Sequence, residues 1–191
     1  DAWHAGPARD CAAAGAQMLA VINASPFHRG KGAEREATMR ARVQETGLPL
    51  VYAHLVGGQD EVVFEGRSFA LGADGTVCAR APAFEEKLVF AQVNTAQNAI
   101  KIIANMAPEQ SPEAELWDAL VLGVRGYVRK NGFPGVLLGL SGGIDSALVA
   151  TLAVDALGSE NVAGIAMPSV HSSDHSLADA RALAQNLGIA F

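Results

Sequence analysis

The segment Gly135–Gly158 reads GVLLGLSGGIDSALVATLAVDALG, an apolar run that meets a cluster of small residues and continues as a long apolar-periodic stretch. Such a run, too short for a helix and bounded by glycine and serine, reads as a buried strand over 135–140; residues 144–157 read as a helix. The pattern then repeats, with an apolar run at 162–167 and a helical one at 174–187. Strand–helix–strand–helix alternation predicts a parallel sheet wrapped by helices, because each strand must cross over to pair with the next. The second half of the chain is therefore expected to be a doubly wound α/β domain.

The first half has a different texture. Residues 5–15 are alanine-rich and read as a helix, and MLAVINAS (18–25) as a buried strand. The mixed charges of 32–46 suggest a solvated helix stopped by Gly47, and LPLVYAHLV (48–56) a second buried strand. EVVFEGRSFAL (61–71) and TVCARAP (76–82), joined by Ala73-Asp74-Gly75, read as a hairpin; EKLVFAQV (86–93) reads as a further strand. Residues 94–111 are linker-like, and Ser111 and Pro112 suit the N-cap and first position of a helix reaching about Asn131. The expected organisation is one domain over 1–93, a linker over 94–111 and a second domain over 112–191. With 50% hydrophobic and 18% charged residues, both halves can bury a core. The net charge of −6 offers no general support for a nucleic-acid partner, and no apolar run is long enough for a membrane helix. Two cysteines, Cys11 and Cys78, make no disulfide framework, which suits a reducing cytoplasm.

A loop between a parallel strand and its helix lies at the carboxyl edge of the sheet, where α/β folds bind ligands. Gly142 and Gly143 let main chain approach a ligand closely, and successive N–H groups with the helix N-terminus make an anion cradle. Ser141 and Ser146 add hydroxyls. Asp145 suits a phosphate site only with a cation between them; Mg²⁺ takes carboxylate and phosphate oxygens together. No Gly-Lys-Ser/Thr follows the glycines, so this is not a Walker loop. The rival reading is a glycine turn kept for tight helix–sheet packing.

The Ser141-Gly-Gly-Ile-Asp-Ser146 stretch resembles the pyrophosphate-binding SGGxDS loop of ATP pyrophosphatases. With MPS at 167–169, HSSDHSLADA at 171–180 and NLGI at 186–189, residues 115–189 look like the synthetase domain of NAD⁺ synthetases. NASPFHRGK (23–31) and VGGQDE (56–61) resemble the nitrilase-like glutaminase domain of the glutamine-dependent NAD⁺ synthetase family. The fold implied is the C-terminal part of a nitrilase-like α/β sandwich followed by the N-terminal part of an adenine nucleotide alpha hydrolase-like domain. The resemblance implies that Gly139, Leu140, Ser141, Gly142, Gly143, Ile144, Asp145, Ser146 and Met167 bind ATP, that Asp145 holds Mg²⁺, and that Ser25 and Lys31 hold glutamine. It further implies adenylation of the nicotinate carboxylate of deamido-NAD⁺, then amidation by ammonia from glutamine. A cytoplasmic homo-oligomer, at least a dimer through the synthetase domains, goes with it. The family's glutaminase Cys, Glu and Lys are expected upstream of Asp1, so no catalytic residue of that site is assigned. The opening Asp-Ala-Trp and the closing LGIAF suggest a longer polypeptide.

Other residues have plainer readings. Cys11, in its alanine-rich stretch, is expected to be a buried small hydrophobe, as is Cys78 on its strand. Lys31 could equally be a solvated member of the charged run from Arg29 to Arg42. His54 stands where the family often has Asn, which leaves its role open. The five histidines form no zinc set; Ser172, Ser173 and Ser176 could simply cap the last helix. Met167 has core packing as an equal rival role, and Trp3 and Trp117 are most simply core or interface residues. Three alternative functions compete: another amidating or thiolating ATP pyrophosphatase such as a GMP or asparagine synthetase, a plain carbon–nitrogen hydrolase, or a non-catalytic nucleotide-binding subunit.

Overall fold

The computed structural model describes residues 2–94, 101–103, 105–167 and 174–191. They fall into two compact units, one of residues up to Gly57 together with Val62–Leu116, the other of Gly58–Glu61 and Trp117–Phe191.

In the first unit, helix α1 (Ala5–Ala13) leads into strand β1 (Leu19–Asn23), helix α2 (Lys31–Thr46) and strand β2 (Leu50–His54). β1 and β2 pair in parallel with Leu19 opposite Leu50. Strands β5 (Phe69–Leu71) and β6 (Val77–Arg80) extend the sheet antiparallel, in the order β1-β2-β5-β6. Leu50, Tyr52, Phe69 and Leu71 point from this sheet onto Met39 and Val43 of α2, all essentially inaccessible to solvent. Burying this apolar face drives the packing of the unit.

The expected solvated character of the 32–46 helix holds for only part of its circumference. Arg35 and Arg42 are buried alongside Met39 and Val43, because positions 35, 39, 42 and 43 fall on one helical face. The strand expected over 48–56 divides: Val56–Gln59 leaves the main sheet as β3 and pairs with β4 (Val62–Glu65). The long first arm of the expected hairpin is consequently two strands. It breaks at Gly66 and Arg67, whose φ values of 66° and 53° are incompatible with a continuous strand. The Asp74-Gly75 turn forms between β5 and β6, with Asp74 Oδ1 accepting from the Thr76 N–H at 3.0 Å and its hydroxyl at 2.7 Å. Of the strand expected over 86–93, only the end is strand: β7 (Gln92–Asn94) pairs with β8 (Lys101–Ile103). Leu88 and Phe90 are more than four-fifths exposed, so among the described residues no sheet face buries the apolar side chains of 86–91. Cys11 is exposed, a correction to its expected burial: in a short helix with mostly alanine neighbours it lies on the outward face.

The second unit contains most of helix α3 (Pro112–Lys130), then strand β9 (Val136–Gly139), helix α4 (Ile144–Leu157), strand β10 (Val162–Ile165) and helix α5 (Asp174–Leu187). The Ser111 hydroxyl accepts the Ala114 N–H at 3.2 Å, and Pro112 opens α3, as their residue types require. β9 and β10 are parallel, and Ala163 also bridges Ala190 in parallel, so the sheet continues as α5 ends. Ala150, Ala153 and Ala156 of α4 and Ala180 and Ala184 of α5 form much of the core. Small side chains let these helices lie close to the sheet and to each other.

Candidate functional site

The loop Gly139–Ser146 sits where β9 ends and α4 begins, and Met167 lies just after β10. Both are thus at the carboxyl ends of parallel strands. Leu140 is buried and anchors the loop, its N–H bonded to Ile165 O at 2.9 Å. Beyond it the serines close on each other. The Ser141 and Ser146 hydroxyls are 3.0 Å apart, Ser146 Oγ also accepts the Ser141 N–H at 3.2 Å, and it donates to Gly143 O at 3.0 Å. Ser141 Oγ accepts the Gly143 N–H at 3.2 Å. Gly143 is the N-cap of α4, with Asp145 in the first turn and exposed. The partial positive charge of that helix end faces outward with the two hydroxyls and one carboxylate.

The two glycines have different reasons to be glycine. Gly142 has φ of 80°, and a Cβ there would lie 2.3 Å from the carbonyl oxygen of Ser176 in α5. The packing explanation therefore accounts for Gly142. It does not account for Gly143, whose φ of −89° suits any residue and whose Cβ would meet only Ser141 Oγ, at 3.3 Å. Gly139 is close to Met167, whose methyl would be 2.9 Å from an added Cβ. Met167 is 76% exposed, which removes core packing as its role. Ile144 is 80% exposed at the mouth of the loop. Ser169, His171, Ser172 and Ser173 lie outside the described residues.

The glutamine-site candidates belong to the first unit. Ser25 follows β1 and Lys31 opens α2, at opposite ends of one connecting loop. Phe27 pins this loop: its N–H bonds Val63 O at 2.7 Å and its ring meets Phe84 edge-on at 5.4 Å. Lys31 is not a freely solvated cation. Its Nζ lies 3.1 Å from Glu34 Oε2 and 4.4 Å from the centre of the Trp3 ring, and its side chain is 15% exposed. Trp3, read from sequence as core or interface, instead fixes this ammonium by its π face.

Ser25 is held through its main chain. His54 Nε2 lies 3.1 Å from both the N–H and the carbonyl oxygen of Ser25, and Arg35 Nη2 donates to that carbonyl at 3.4 Å. Arg35 pairs with Glu65 at 2.5 Å, both 1% exposed. Burial and the Arg35 guanidinium hold the His54 pKa below the ordinary histidine value, against Glu65 and the carbonyls of Ser25 and Gly66. Burial pushes Tyr52 up to about 12. Sequence reasoning missed Arg35 and Glu65. The available signal was that Arg35 shares a helical face with Met39 and Val43, so its charge had to be buried with a partner.

Two family models match the chain. The carbon-nitrogen hydrolase family matches residues 1–127. The chain belongs to the carbon–nitrogen hydrolase family. The NAD synthase family matches residues 116–191. A glutamine-dependent NAD(+) synthetase from Rhodobacter capsulatus is 49% identical over 98% of this chain and 34% of its own length. One from Aquifex aeolicus is 41% identical over the whole of this chain and 39% of its own. The structure of glutamine-dependent NAD+ synthetase from Acinetobacter baumannii in complex with ADP superposes with a TM-score of 0.93 at 37% identity, covering 100% of this chain and 36% of that one. The nitrilase-like and doubly wound α/β architectures expected from sequence are thus those of this carbon–nitrogen hydrolase chain and its NAD synthase segment. The chain spans about a third of the length of these curated relatives.

Proposed function

We propose that the intact protein is a glutamine-dependent NAD⁺ synthetase: it adenylates deamido-NAD⁺ with ATP, releases pyrophosphate, and amidates the adenylate with ammonia from glutamine. The observation that carries this reading is the presence of both family segments, in order, in one chain with 49% identity to a synthetase of that name. A plain carbon–nitrogen hydrolase would have no use for the second segment. A GMP or asparagine synthetase would have no use for the first.

The loop chemistry supports the assignment. A carboxylate becomes an acyl donor only when one oxygen is made a good leaving group. In the proposed reaction the nicotinate carboxylate attacks the α-phosphorus of ATP and pyrophosphate departs. Ammonia then attacks the acyl carbon, AMP leaves, and the nitrogen sheds its extra proton. The Gly143 main chain, the Ser141 and Ser146 hydroxyls and the α4 N-terminus would stabilise charge on the departing pyrophosphate, a task of positioning and electrostatics. Gly139 leaves room for main chain to approach the nucleotide, and Met167 and Ile144 offer exposed apolar surface to the base or sugar. Leu140 holds the loop from inside.

Mg²⁺ fits this donor set. Among the described residues no group of three or more His, Cys, Asp or Glu side chains forms a metal cage. Asp145 is a single exposed carboxylate beside hydroxyls at a helix N-terminus, and Mg²⁺ commonly binds one or two carboxylates with phosphates supplying further oxygens. When bound, the ion would neutralise phosphate charge; Asp145 would hold it.

In the first unit, Ser25 would present its hydroxyl to glutamine and Lys31 its ammonium to the α-carboxylate. No described helix is long and apolar enough to cross a membrane. The free thiols suit the cytoplasm. Exposed Leu148 and Val149 on α4 favour a homo-oligomer through the synthetase segment.

The test is to supply the intact native protein with ATP, Mg²⁺ and deamido-NAD⁺, with either glutamine or an ammonium salt. NAD⁺, AMP and pyrophosphate should appear in equal amounts with both donors. Ammonia release from glutamine without any ATP cleavage would leave only the hydrolase reading; nucleotide binding without turnover would leave only the binding subunit.

A further inference from the structure

A buried polar cluster in the first unit lies outside the proposed catalytic steps. Arg35 from α2, Tyr52 and His54 from β2 and Glu65 from β4 are each less than a tenth exposed. Charges so placed seldom maximise stability, since apolar residues of similar volume do as well or better. Their retention needs another reason, and the contacts supply one. Two members of the cluster converge on the peptide groups of a single residue, Ser25. Arg35 Nη2 reaches its carbonyl, and His54 Nε2 lies 3.1 Å from its N–H.

The His54 ring has little freedom to do anything else. It stacks on Tyr52 with centroids 5.8 Å apart and planes 17° apart, and Tyr52 in turn stacks on Phe69. The His54 N–H of the main chain is bonded to Ser68 Oγ at 3.0 Å. Glu65 holds the other end of the Arg35 guanidinium. The Ser25 carbonyl already has a donor in Arg35. With its proton on Nδ1, which has no hydrogen-bond partner among the described residues, neutral His54 can accept the Ser25 N–H at Nε2.

We propose that His54, backed by the Arg35–Glu65 pair, is a positioning residue that clamps the Ser25 main chain so that its hydroxyl is aimed at the amide substrate. The inference rests on the reading of Ser25 as a glutamine contact. Protonated His54 could only donate, which would strip the Ser25 N–H of its acceptor and direct two donors at one carbonyl. The charged and titratable groups facing the imidazole are Arg35, Glu65 and Tyr52, and Tyr52 stays neutral throughout the working range. The clamp thus weakens only as pH falls through the depressed His54 value, below the ordinary histidine pKa.

The experiment compares His54→Ala, His54→Gln and Ser25→Ala in the intact native protein, with glutamine and with ammonium as nitrogen source. His54→Ala should raise KM for glutamine about ten-fold or more, the effect of leaving a half-buried N–H without its acceptor and its carrier free to shift. The ammonium-driven rate should be little changed. A Gln amide reaches the Nε2 position and can accept the same bond, so His54→Gln should recover most of the loss. Its KM should also lack the rise expected of the wild type as pH falls through the depressed His54 value. If Ser25→Ala raises KM and His54→Ala does not, the clamp is overturned alone. If both are silent, the Ser25 assignment falls with it. Parallel loss of both nitrogen sources would make His54 structural and also overturn the clamp. Should His54→Ala not fold, a His54→Gln profile identical to wild type throughout the acid range in which the enzyme stays folded would overturn it.

Discussion

The two glycines of the phosphate-loop candidate give opposite expectations, and their contrast separates packing from ligand binding. In Gly142→Ala, the left-handed backbone costs a non-glycine residue about 1–2 kcal/mol. Its Cβ must also clear the Ser176 carbonyl oxygen at 2.3 Å, which is main chain and cannot rotate away; overpacking of this kind costs about 1–3 kcal/mol. Together the second unit should lose about 2–5 kcal/mol. Amide exchange in α4 and α5 should accelerate by about thirty-fold at the lower bound, since each 1.4 kcal/mol is about ten-fold. Gly143→Ala meets no such barrier: φ is −89° and the nearest atom is a seryl oxygen at 3.3 Å. Its exchange pattern should match wild type within the equivalent of about 1 kcal/mol. Yet a methyl at that exposed N-cap would stand where phosphate oxygens must approach the main chain, so KM for ATP in the ammonium-driven reaction should rise ten-fold or more. Wild-type KM for ATP in Gly143→Ala would refute the cradle, whatever the behaviour of Gly142→Ala.

Asp145→Asn should abolish AMP formation with the fold intact by circular dichroism; pyrophosphate release near the wild-type rate would remove Asp145 as the Mg²⁺ ligand. Lys31→Ala should weaken glutamine use and spare ammonium use, and equal loss with both would count against its role. Arg35→Met or Glu65→Leu alone strands a buried charge and should cost about 3–5 kcal/mol in urea denaturation, whereas the double variant should regain much of that. Glutamine KM should nevertheless stay raised in the double variant. Asp74, held below the ordinary aspartate value by the Thr76 N–H and hydroxyl, stabilises its turn above the unfolded pKa; that contribution disappears as pH falls through the lower folded value. Thr76→Val should move the Asp74 titration upward in an NMR pH series.

Much of this protein follows from local chemistry. The bounds of α4 and α5 are legible because an apolar-periodic run is flanked by glycine and small polar residues. The start of α3 is legible because Ser111-Pro112 suits only a helix entrance. The parallel pairing of β9 with β10 follows from the intervening helix, and the loop at their carboxyl ends inherits its position from that topology. These features depend on residues within a few positions of one another, or on a crossover the chain cannot avoid.

Other features required the folded chain. The division of 61–71 into β4 and β5 depends on the pairing of β4 with β3. Residues 86–91 look like a strand by composition, but a strand needs an open neighbour and they have none among the described residues. Gly142 is explained by the backbone of α5, thirty-four positions away. The Ser25 clamp joins α2, β2 and β4, whose polar side chains meet only after a hydrophobic face has brought the helix onto the sheet. Spacing along the chain records periodicity and turn chemistry; it carries no record of which buried charge will find which partner, because that is set by burial and distance once the core has closed.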